Sequence, residues 1–272
     1  LASRILDLQK KNLYLRYSEM LGQVVSGELY QVWKKEMLLL DEEGNELYLP
    51  KQNQIPTDYY RKGDTVRAVV VKVDNTNQNP KIILSRTSPL FLQRLFEQEV
   101  PEVHDGLIAI KNIARIPGER AKVAVESFDD RIDPVGACVG VKGSRIHGIV
   151  RELRNENIDV INYSQNVEVL IGRALNLSMT PQMRIDYEAK KAEVFLRPED
   201  VSLAIGKEGQ NARLAARLTG FKIDIKSETQ AREAGDFYDY DEYEDEDEYY
   251  EEGEYSENEE YVEEGEYSED GE

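Results

Sequence analysis

Two Gly-x-x-Gly segments are the residues of this sequence with the clearest chemical use. The segments are Gly140-Val141-Lys142-Gly143 and Gly206-Lys207-Glu208-Gly209. Glycines in such a loop let the sugar-phosphate backbone of a ligand approach closely, and a helix that follows presents N–H groups and the positive end of its dipole to phosphate. One Gly-x-x-Gly alone is more often a simple turn between helices. The chemistry predicted for the pair is binding of phosphate backbone.

The same order of elements surrounds both loops, which indicates a tandem repeat. Gly140 corresponds to Gly206 at an offset of 66 residues, and Ile158 corresponds to Ile223 at an offset of 65. Around each loop the periodicity predicts helix, strand, strand, short helix, helix and strand. A Gly-x-x-Gly in this α-β-β-α-α-β order is typical of the type II KH domain, whose loop holds about four nucleotides. We therefore predict two KH domains that bind single-stranded RNA.

The sequence before the repeats has the short alternating pattern of strands separated by turns. The predicted strands are Gln23–Tyr30, Glu36–Leu40, Glu46–Leu49, Thr65–Asp74 and Lys81–Ser85. Five strands in about 65 residues, with no helical crossover between them, predict a five-stranded Greek-key barrel of the OB type.

The predicted fold class is therefore α+β and multidomain. The expected divisions are a linker helix or remnant of an N-terminal domain at 1–18, the barrel at 19–87, the KH domains at 88–162 and 163–228, and a tail at 229–272. The first segment is too short to fold alone and the chain does not begin with Met, so we expect a fragment that lacks upstream sequence.

The charge of the chain is concentrated in the tail. The formal net charge is −20, from 34 Lys and Arg against 54 Asp and Glu. Residues 233–272 hold 22 of the 54 acids and none of the bases, so residues 1–232 carry 32 acids against 34 bases. The whole tail at 229–272 has no apolar periodicity and is predicted to be disordered. It serves solubility or competes with RNA for basic side chains, two hypotheses that the sequence leaves open.

Candidate RNA-binding side chains lie within and beside the loops. Lys142 and Arg145 supply cations next to the first loop, with Ser144 between that loop and Arg145. In the second loop Lys207 is followed by Glu208, and we expect this carboxylate to weaken binding because it meets the phosphate backbone.

Two further groups of residues have an RNA-binding and a structural interpretation. The first hairpin of the repeats carries Lys111, Arg115, Arg120 and Lys122, which share a face with the loop or form a solvated strand edge. The barrel carries Tyr30 and Trp33, with Tyr48, Tyr59 and Tyr60, which stack on unpaired bases or pack in the core.

Catalysis and cofactor chemistry find little support in the sequence. There are two histidines and one cysteine, too few for a Ser/His/Asp arrangement, a zinc cluster or a disulfide framework. Five residues after Gly136 stands Val141, so the loop does not match the nucleotide-triphosphate motif. The apolar runs are far shorter than the roughly 20 residues needed to cross a bilayer. We predict a soluble protein that is not an enzyme and needs no metal or cofactor.

Three long motifs resemble the bacterial NusA family of transcription factors. The motifs are residues 81–87 (Lys-Ile-Ile-Leu-Ser-Arg-Thr), 133–145 (Asp-Pro-Val-Gly-Ala-Cys-Val-Gly-Val-Lys-Gly-Ser-Arg) and 203–220 (Leu-Ala-Ile-Gly-Lys-Glu-Gly-Gln-Asn-Ala-Arg-Leu-Ala-Ala-Arg-Leu-Thr-Gly). The resemblance implies that the barrel is an S1-type RNA-binding domain and forms one surface with the KH pair. It also implies a cytoplasmic factor that contacts nascent RNA and modulates pausing, termination and antitermination. The implied partners are RNA polymerase, through an N-terminal domain that this chain lacks, and other antitermination factors.

Two other functions remain as alternatives. An RNA-processing or degradation subunit of the polynucleotide phosphorylase kind also combines KH and S1 domains, but in that family one KH domain precedes the S1 domain behind a large catalytic core. Here the barrel comes first and no such core is present in the sequence. An RNA-binding factor of ribosome assembly is the second alternative, and the sequence excludes it less firmly.

Overall fold

The structure is a computed structural model, and it describes residues 1–235. Residues 236–272 lie outside the described residues, so the disorder predicted for them is not tested. The described helices are α1 (Ala2–Glu19), α2 (Pro89–Glu99), α3 (Pro101–His104), α4 (Pro134–Val139), α5 (Ile146–Glu152), α6 (Val167–Ala174), α7 (Pro198–Ile205), α8 (Gln210–Thr219) and α9 (Glu228–Glu233). No helix among residues 1–235 is both long enough and apolar enough to cross a membrane.

A closed barrel of five strands follows α1. The strands are β1 (Val24–Val32), β2 (Glu36–Leu40), β3 (Glu46–Pro50), β4 (Thr65–Asp74) and β5 (Lys81–Ser85). They pair in the order β1-β2-β3-β5-β4, and β3 closes the barrel by a short parallel pairing with β5. The alternate residues Leu47, Leu49, Ile82 and Leu84 are fully buried inside it, as the period of two requires. The predicted OB-type barrel is confirmed.

Helix α1 is attached to the barrel at its C-terminal end. Tyr17 is buried, and its hydroxyl donates to Asp41 Oδ2 at 2.5 Å. Burial and the neighbouring carboxylate raise the pKa of Tyr17 to about 12, so the phenol stays protonated and keeps donating. Arg16 pairs with the same Asp41 at 3.1 Å. Most residues of the preceding turns are exposed.

The first repeat consists of α2, α3, two hairpin strands, α4, α5 and a third strand. The strands are β6 (Ile108–Ile116), β7 (Arg120–Ser127) and β8 (Asn157–Asn162), in the order β6-β7-β8. Ser88 caps α2 by accepting a hydrogen bond from Leu90 N–H, and Pro89 stands at the first helical position. The short helix α3 is an addition to the predicted α-β-β-α-α-β order.

The second repeat has the same topology. Its strands are β9 (Gln182–Asp186), β10 (Lys191–Leu196) and β11 (Lys222–Ser227), and β10 is the central strand. The parallel register also matches, because Ala121 faces Ile158 in the first sheet and Ala192 faces Ile223 in the second. The two predicted KH folds are confirmed. The disordered tail was expected to begin at residue 229, and this limit was wrong. Residues Glu228–Glu233 form helix α9, which packs on β10 and β11 and buries Ala231.

The two repeats share a hydrophobic core. Helix α8 of the second repeat packs on β6 and β7 of the first. Ala114 and Ala124 of the first sheet are buried in one cluster with Leu214, Ala215 and Leu218 of α8. Small side chains on the sheet let the helix approach closely. Among the alanines of α8, Ala215 is fully buried, while Ala212 and Ala216 are half-buried.

Buried ion pairs join the barrel to the first repeat. Arg86, which follows β5, is fully buried and donates to both carboxylate oxygens of Asp58 at 2.8 and 3.2 Å. The same guanidinium donates to the side chain and the backbone oxygen of Glu152 at the end of α5. Arg154 adds a second contact to Asp58 at 3.1 Å. One arginine therefore connects a barrel loop to α5, the helix that follows the Gly-x-x-Gly loop of the first KH fold.

Candidate nucleic-acid interface

Both Gly-x-x-Gly loops adopt one backbone conformation that needs glycine at the first position. Gly140 and Gly206 end α4 and α7 with φ of +79° and +76°. A Cβ atom at Gly140 would lie 2.9 Å from Arg145 N, and one at Gly206 would lie 2.7 Å from Asn211 Cβ. These distances are below van der Waals contact, so the first turn of the following helix leaves no room for a side chain.

The middle residues of the loops match as well. Lys142 and Glu208 both have φ of +54° in the left-handed region, so Glu208 occupies the position of Lys142, and Lys207 that of Val141. The side chains of Lys142, Lys207 and Glu208 are exposed, and Val141 is 82% exposed. Both loops therefore project four-residue tips from the protein surface.

We predict that Gly206→Ala destabilises the protein by about 2–3 kcal/mol. Gly206 has φ of +76° and ψ of 173°, a combination that is essentially restricted to glycine and costs another residue about 1–3 kcal/mol, and the contact with Asn211 adds overpacking of about 1 kcal/mol or more. Gly220→Ala is the comparison, because Gly220 has φ of +75° and ψ of 11°, in the ordinary left-handed region, and nothing lies within 4 Å of its Cβ position. Urea unfolding of both variants measures the difference, and equal losses would contradict the close approach.

Hydrogen bonds within the first loop occupy N–H groups that the sequence assigned to phosphate. The N–H groups of Gly143, Ser144 and Arg145 donate to carbonyl oxygens of residues 140, 141 and 139 at 3.0–3.2 Å. Gly209 N–H donates to Gly206 O in the same way. These N–H groups are not free to meet a phosphate, whereas the exposed side chains of Lys142 and Lys207 are accessible to one.

Arg145 and Asn211 lie at equivalent positions, and the side chain of each donates a hydrogen bond to a backbone oxygen of the helix before the loop. Arg145 Nη1 donates to Ala137 O at 2.7 Å and to Glu102 Oε2 at 2.8 Å. Asn211 Nδ2 donates to Ala204 O at 2.9 Å. The guanidinium of Arg145 is therefore half-buried and paired with a carboxylate. Its principal contacts are structural, whereas its neighbour Ser144 is exposed.

All four basic side chains of the first hairpin were expected on the surface, but two of them are buried. Arg115 is fully enclosed and forms a two-pronged pair with Glu156 at 2.8 and 2.9 Å. Lys122 is buried beneath α8 and pairs with Asp159 at 2.9 Å. The expectation was wrong for both, for different reasons. The second repeat covers the face of the sheet that holds Lys122, which is paired with Ala114. Arg115 lies on the opposite face, where it donates to the backbone oxygens of Arg86 and Ser88 at the junction with the barrel.

The other two bases are partly accessible. Arg120 shares Asp159 with Lys122 at 2.7 Å and has a side chain that is 22% exposed. Burial would raise the pKa of Asp159, but Lys122 and Arg120 outweigh it and lower that pKa. Lys111 is exposed, 3.4 Å from Glu126, and 5.1 Å from the centre of the Tyr163 ring. Lys111 is therefore the most accessible of the four bases.

The barrel aromatics separate into exposed and enclosed residues. Tyr30 is 49% exposed with Lys62 Nζ 5.1 Å from its ring centre, and Trp33 is 40% exposed beside two exposed lysines. Tyr59 is also exposed. By contrast, the Tyr60 ring lies under the buried guanidinium of Arg86 at 5.4 Å. Exposed aromatic faces next to cations are the type of surface on which bases stack.

Tyr48 has partners of its own within the barrel. Lys81 Nζ lies 4.5 Å from its ring centre, and the Tyr48 hydroxyl donates to Glu46 at 2.7 Å. That hydrogen bond and burial raise the pKa of Tyr48 to about 12. Among the barrel aromatics, Tyr30, Trp33 and Tyr59 therefore have the most open faces.

A groove of about 1020 Å³ lies beside the second loop, at the junction of the two repeats. The segment from Leu175 to Pro181 forms one wall, α7 with Gly206 and Lys207 forms another, and Arg120 reaches in from the first repeat. Two apolar side chains at its edge, Met179 and Leu203, are 79% and 77% exposed. No periodic pattern marks the α6–β9 connection, so the sequence did not indicate this groove.

Among residues 1–235 no group of three or more His, Cys, Asp and Glu is arranged to hold a metal ion. The single cysteine, Cys138, is buried in α4, and burial raises the pKa of its thiol to about 12. A thiol of that kind is a packing residue, since the reactive form is the thiolate.

Fold and site together define a class of protein: an OB-type barrel followed by two KH domains that expose matching Gly-x-x-Gly loops. Residues 86–163 match the NusA-like first KH domain family, and residues 167–233 match the NusA-like second KH domain family. The chain belongs to the NusA family.

Curated relatives named "Transcription termination/antitermination protein NusA" support this assignment. The chain is 40% identical to the protein of Halalkalibacterium halodurans over 232 residues, which are 85% of this chain and 60% of that protein. It is 47% identical to that of Bacillus subtilis over 190 residues, 70% of this chain and 51% of the relative. It is 36% identical to that of Mycobacterium tuberculosis over 233 residues, 83% and 67% of the two chains. The chain spans between half and two thirds of the length of these relatives.

Proposed function

We propose that this chain is the RNA-binding part of a transcription elongation factor that holds nascent single-stranded RNA at RNA polymerase. In this role it modulates pausing, termination and antitermination in the bacterial cytoplasm, together with other antitermination factors. It performs no catalysis and requires no cofactor. The observation that supports this most is the pair of exposed loops with one backbone conformation, because two equal sites in tandem suit a continuous strand.

The proposed RNA-binding residues are those that the structure leaves accessible. In the first KH domain they are the loop residues 140–143 with Ser144, and in the second they are residues 206–209. Lys111, Arg120 and the exposed barrel aromatics Tyr30 and Trp33 extend the surface on either side. We propose domain limits of 19–87 for the barrel and of 88–162 and 163–228 for the KH domains.

Direct binding to RNA tests the first half of the proposal. A fluorescein-labelled 20-nucleotide RNA without secondary structure is titrated with the chain at about 0.1 M salt, and the same RNA annealed to its complement serves as the control. We expect the single strand to bind at least tenfold more tightly than the duplex, since the loops receive an unpaired backbone. Equal affinity for the two RNAs would contradict the assignment.

Crosslinking to a stalled elongation complex tests the second half. The transcript carries 4-thiouridine at single positions, and the full-length protein is added to the complex. We expect crosslinks to this chain from transcript positions just outside the polymerase, and their loss when both loops are mutated. Crosslinks to ribosomal RNA in extracts, without crosslinks to the nascent transcript, would favour the ribosome-assembly alternative instead.

A further inference from the structure

A cationic side chain lies over the second loop, supplied by the helix that follows. Arg213 is the fourth residue after Gly209 and stands one turn into α8. Side chains on a helix lean towards its N-terminus, so Arg213 returns to the loop. Its Nη2 donates to Glu208 O at 2.8 Å and lies 3.8 Å from the position that a Cβ atom would take at Gly209. The guanidinium is therefore held at the loop tip.

The first repeat has a counterpart at the same spacing. His147 is the fourth residue after Gly143, and its Nε2 lies 3.0 Å from the Cβ position of that glycine. The imidazole is exposed. Both repeats therefore place a nitrogen-bearing side chain from the first turn of the following helix beside the second glycine of the loop, which argues against a chance contact in either one.

Arg213 offsets the negative charge that the second loop carries at Glu208. Glu208 occupies the position that Lys142 has in the first loop, and a carboxylate there repels phosphate. Arg213 adds a permanent positive charge beside it, and Lys207 adds another. Within the described chain the guanidinium makes a single hydrogen bond, to Glu208 O, and the side chain is exposed, so its other N–H groups remain available. Arginine presents such N–H groups as a planar fork that matches phosphate oxygens.

We propose that Arg213 contacts an RNA phosphate at the second Gly-x-x-Gly loop and compensates for Glu208. The second KH domain is then a full RNA site and not the weaker one that its loop sequence suggests. This inference rests on the proposed function, because it assumes that the loops bind RNA. It assigns the principal cation of the second site to α8 and not to the loop itself.

Arg213→Gln tests the proposal against Arg217→Gln as a matched control. Arg217 is exposed and lies one turn further along α8. Its replacement by glutamine removes the same charge from the same helix. We expect Arg213→Gln to weaken binding of the 20-nucleotide single strand about fivefold and to reduce the slope of log affinity against log salt by about 0.7, the value for one phosphate contact on single strands. Arg217→Gln should weaken binding less than twofold.

A third variant separates RNA contact from support of the loop. Arg213→Lys retains the charge but loses the fork, and we expect it to recover the salt slope and part of the affinity. Equal effects of Arg213→Gln and Arg217→Gln would overturn the proposal, as would a loss of affinity that Arg213→Lys does not recover. If the unmutated chain does not bind single-stranded RNA, the proposed function fails. If the unmutated chain binds RNA but Arg213→Gln has no larger effect than Arg217→Gln, this inference fails and the proposed function stands.

Discussion

Replacement of Arg86 by alanine is expected to lower the free energy of unfolding by about 3–5 kcal/mol, because it leaves a buried carboxylate without its partner. Arg86 and Asp58 both have side chains that are 0% exposed. Asp58 keeps a second contact to Arg154, but that arginine is 35% exposed and reaches only one carboxylate oxygen. The loss therefore falls on a desolvated carboxylate that keeps only the partly exposed Arg154 and the Ile55 N–H as partners.

The same substitution is expected to loosen the barrel from the first KH domain. The Arg86 guanidinium also donates to Glu152 at the end of α5 and to the backbone oxygen of Arg67 in β4. Limited proteolysis and urea unfolding followed by Trp33 fluorescence measure the two effects. Because several domains unfold together, the midpoint and the steepness of the transition are compared, not a single two-state free energy.

Arg131→Ala is the control for Arg86→Ala. Arg131 is paired with Asp129 at 2.9 Å, but its side chain is 89% exposed. Exposed ion pairs contribute about 0–1 kcal/mol, so we expect a change within that range. If both arginine variants unfold at the same urea concentration, the buried pair does not hold the two units together.

The second large effect is expected for the double variant Val141→Asp/Lys142→Asp, which should weaken binding of single-stranded RNA at least about 50-fold. The substitutions turn an attractive loop tip into a repulsive one, and like charges opposed across an interface cost several kcal/mol. They also disable one of the two KH sites, so the affinity gained when one RNA strand binds both sites at once is lost. Anisotropy titration at about 0.1 M salt measures the change.

The fold should survive this double variant. Val141 and Lys142 are exposed, and aspartate is among the residues that tolerate the left-handed conformation of position 142. Lys11→Asp/Asn12→Asp on α1 is the matched control, since it changes two adjacent exposed residues and adds the same negative charge. We expect the control to bind within threefold of the unmutated chain. Equal losses in the two double variants would mean that net charge and not the loop governs binding.

Local patterns were sufficient for the order of the elements. The alternating runs of residues 23–85 predicted five strands whose observed limits differ by at most two residues. The offset of 66 between Gly140 and Gly206 predicted the repeat, and the matching registers of β7 with β8 and of β10 with β11 confirm it. Each of these features depends on neighbours in the sequence, such as a period of two or a glycine in a left-handed turn.

The charged side chains of the first hairpin show where such reasoning ends. Arg115 and Lys122 are basic residues on predicted strands, and nothing local distinguishes them from Lys111. Their partners, Glu156 and Asp159, come about 40 residues later. Alternation predicts that neighbours on a strand point to opposite faces, but it does not say what covers each face. The second repeat covers the face that holds Lys122, and the junction with the barrel encloses Arg115.

The sequence by itself determined the barrel, the two KH folds, the two Gly-x-x-Gly loops and the location of the excess negative charge beyond residue 232. Only the tertiary structure decided which cations remain free for RNA, how Arg86 joins the barrel to the first KH domain, and that Arg213 lies over the second loop. The physical reason is the separation along the sequence of the residues that interact. Backbone conformation follows from adjacent residues, whereas the accessibility and the partner of a charge are set by segments that meet only when the chain folds.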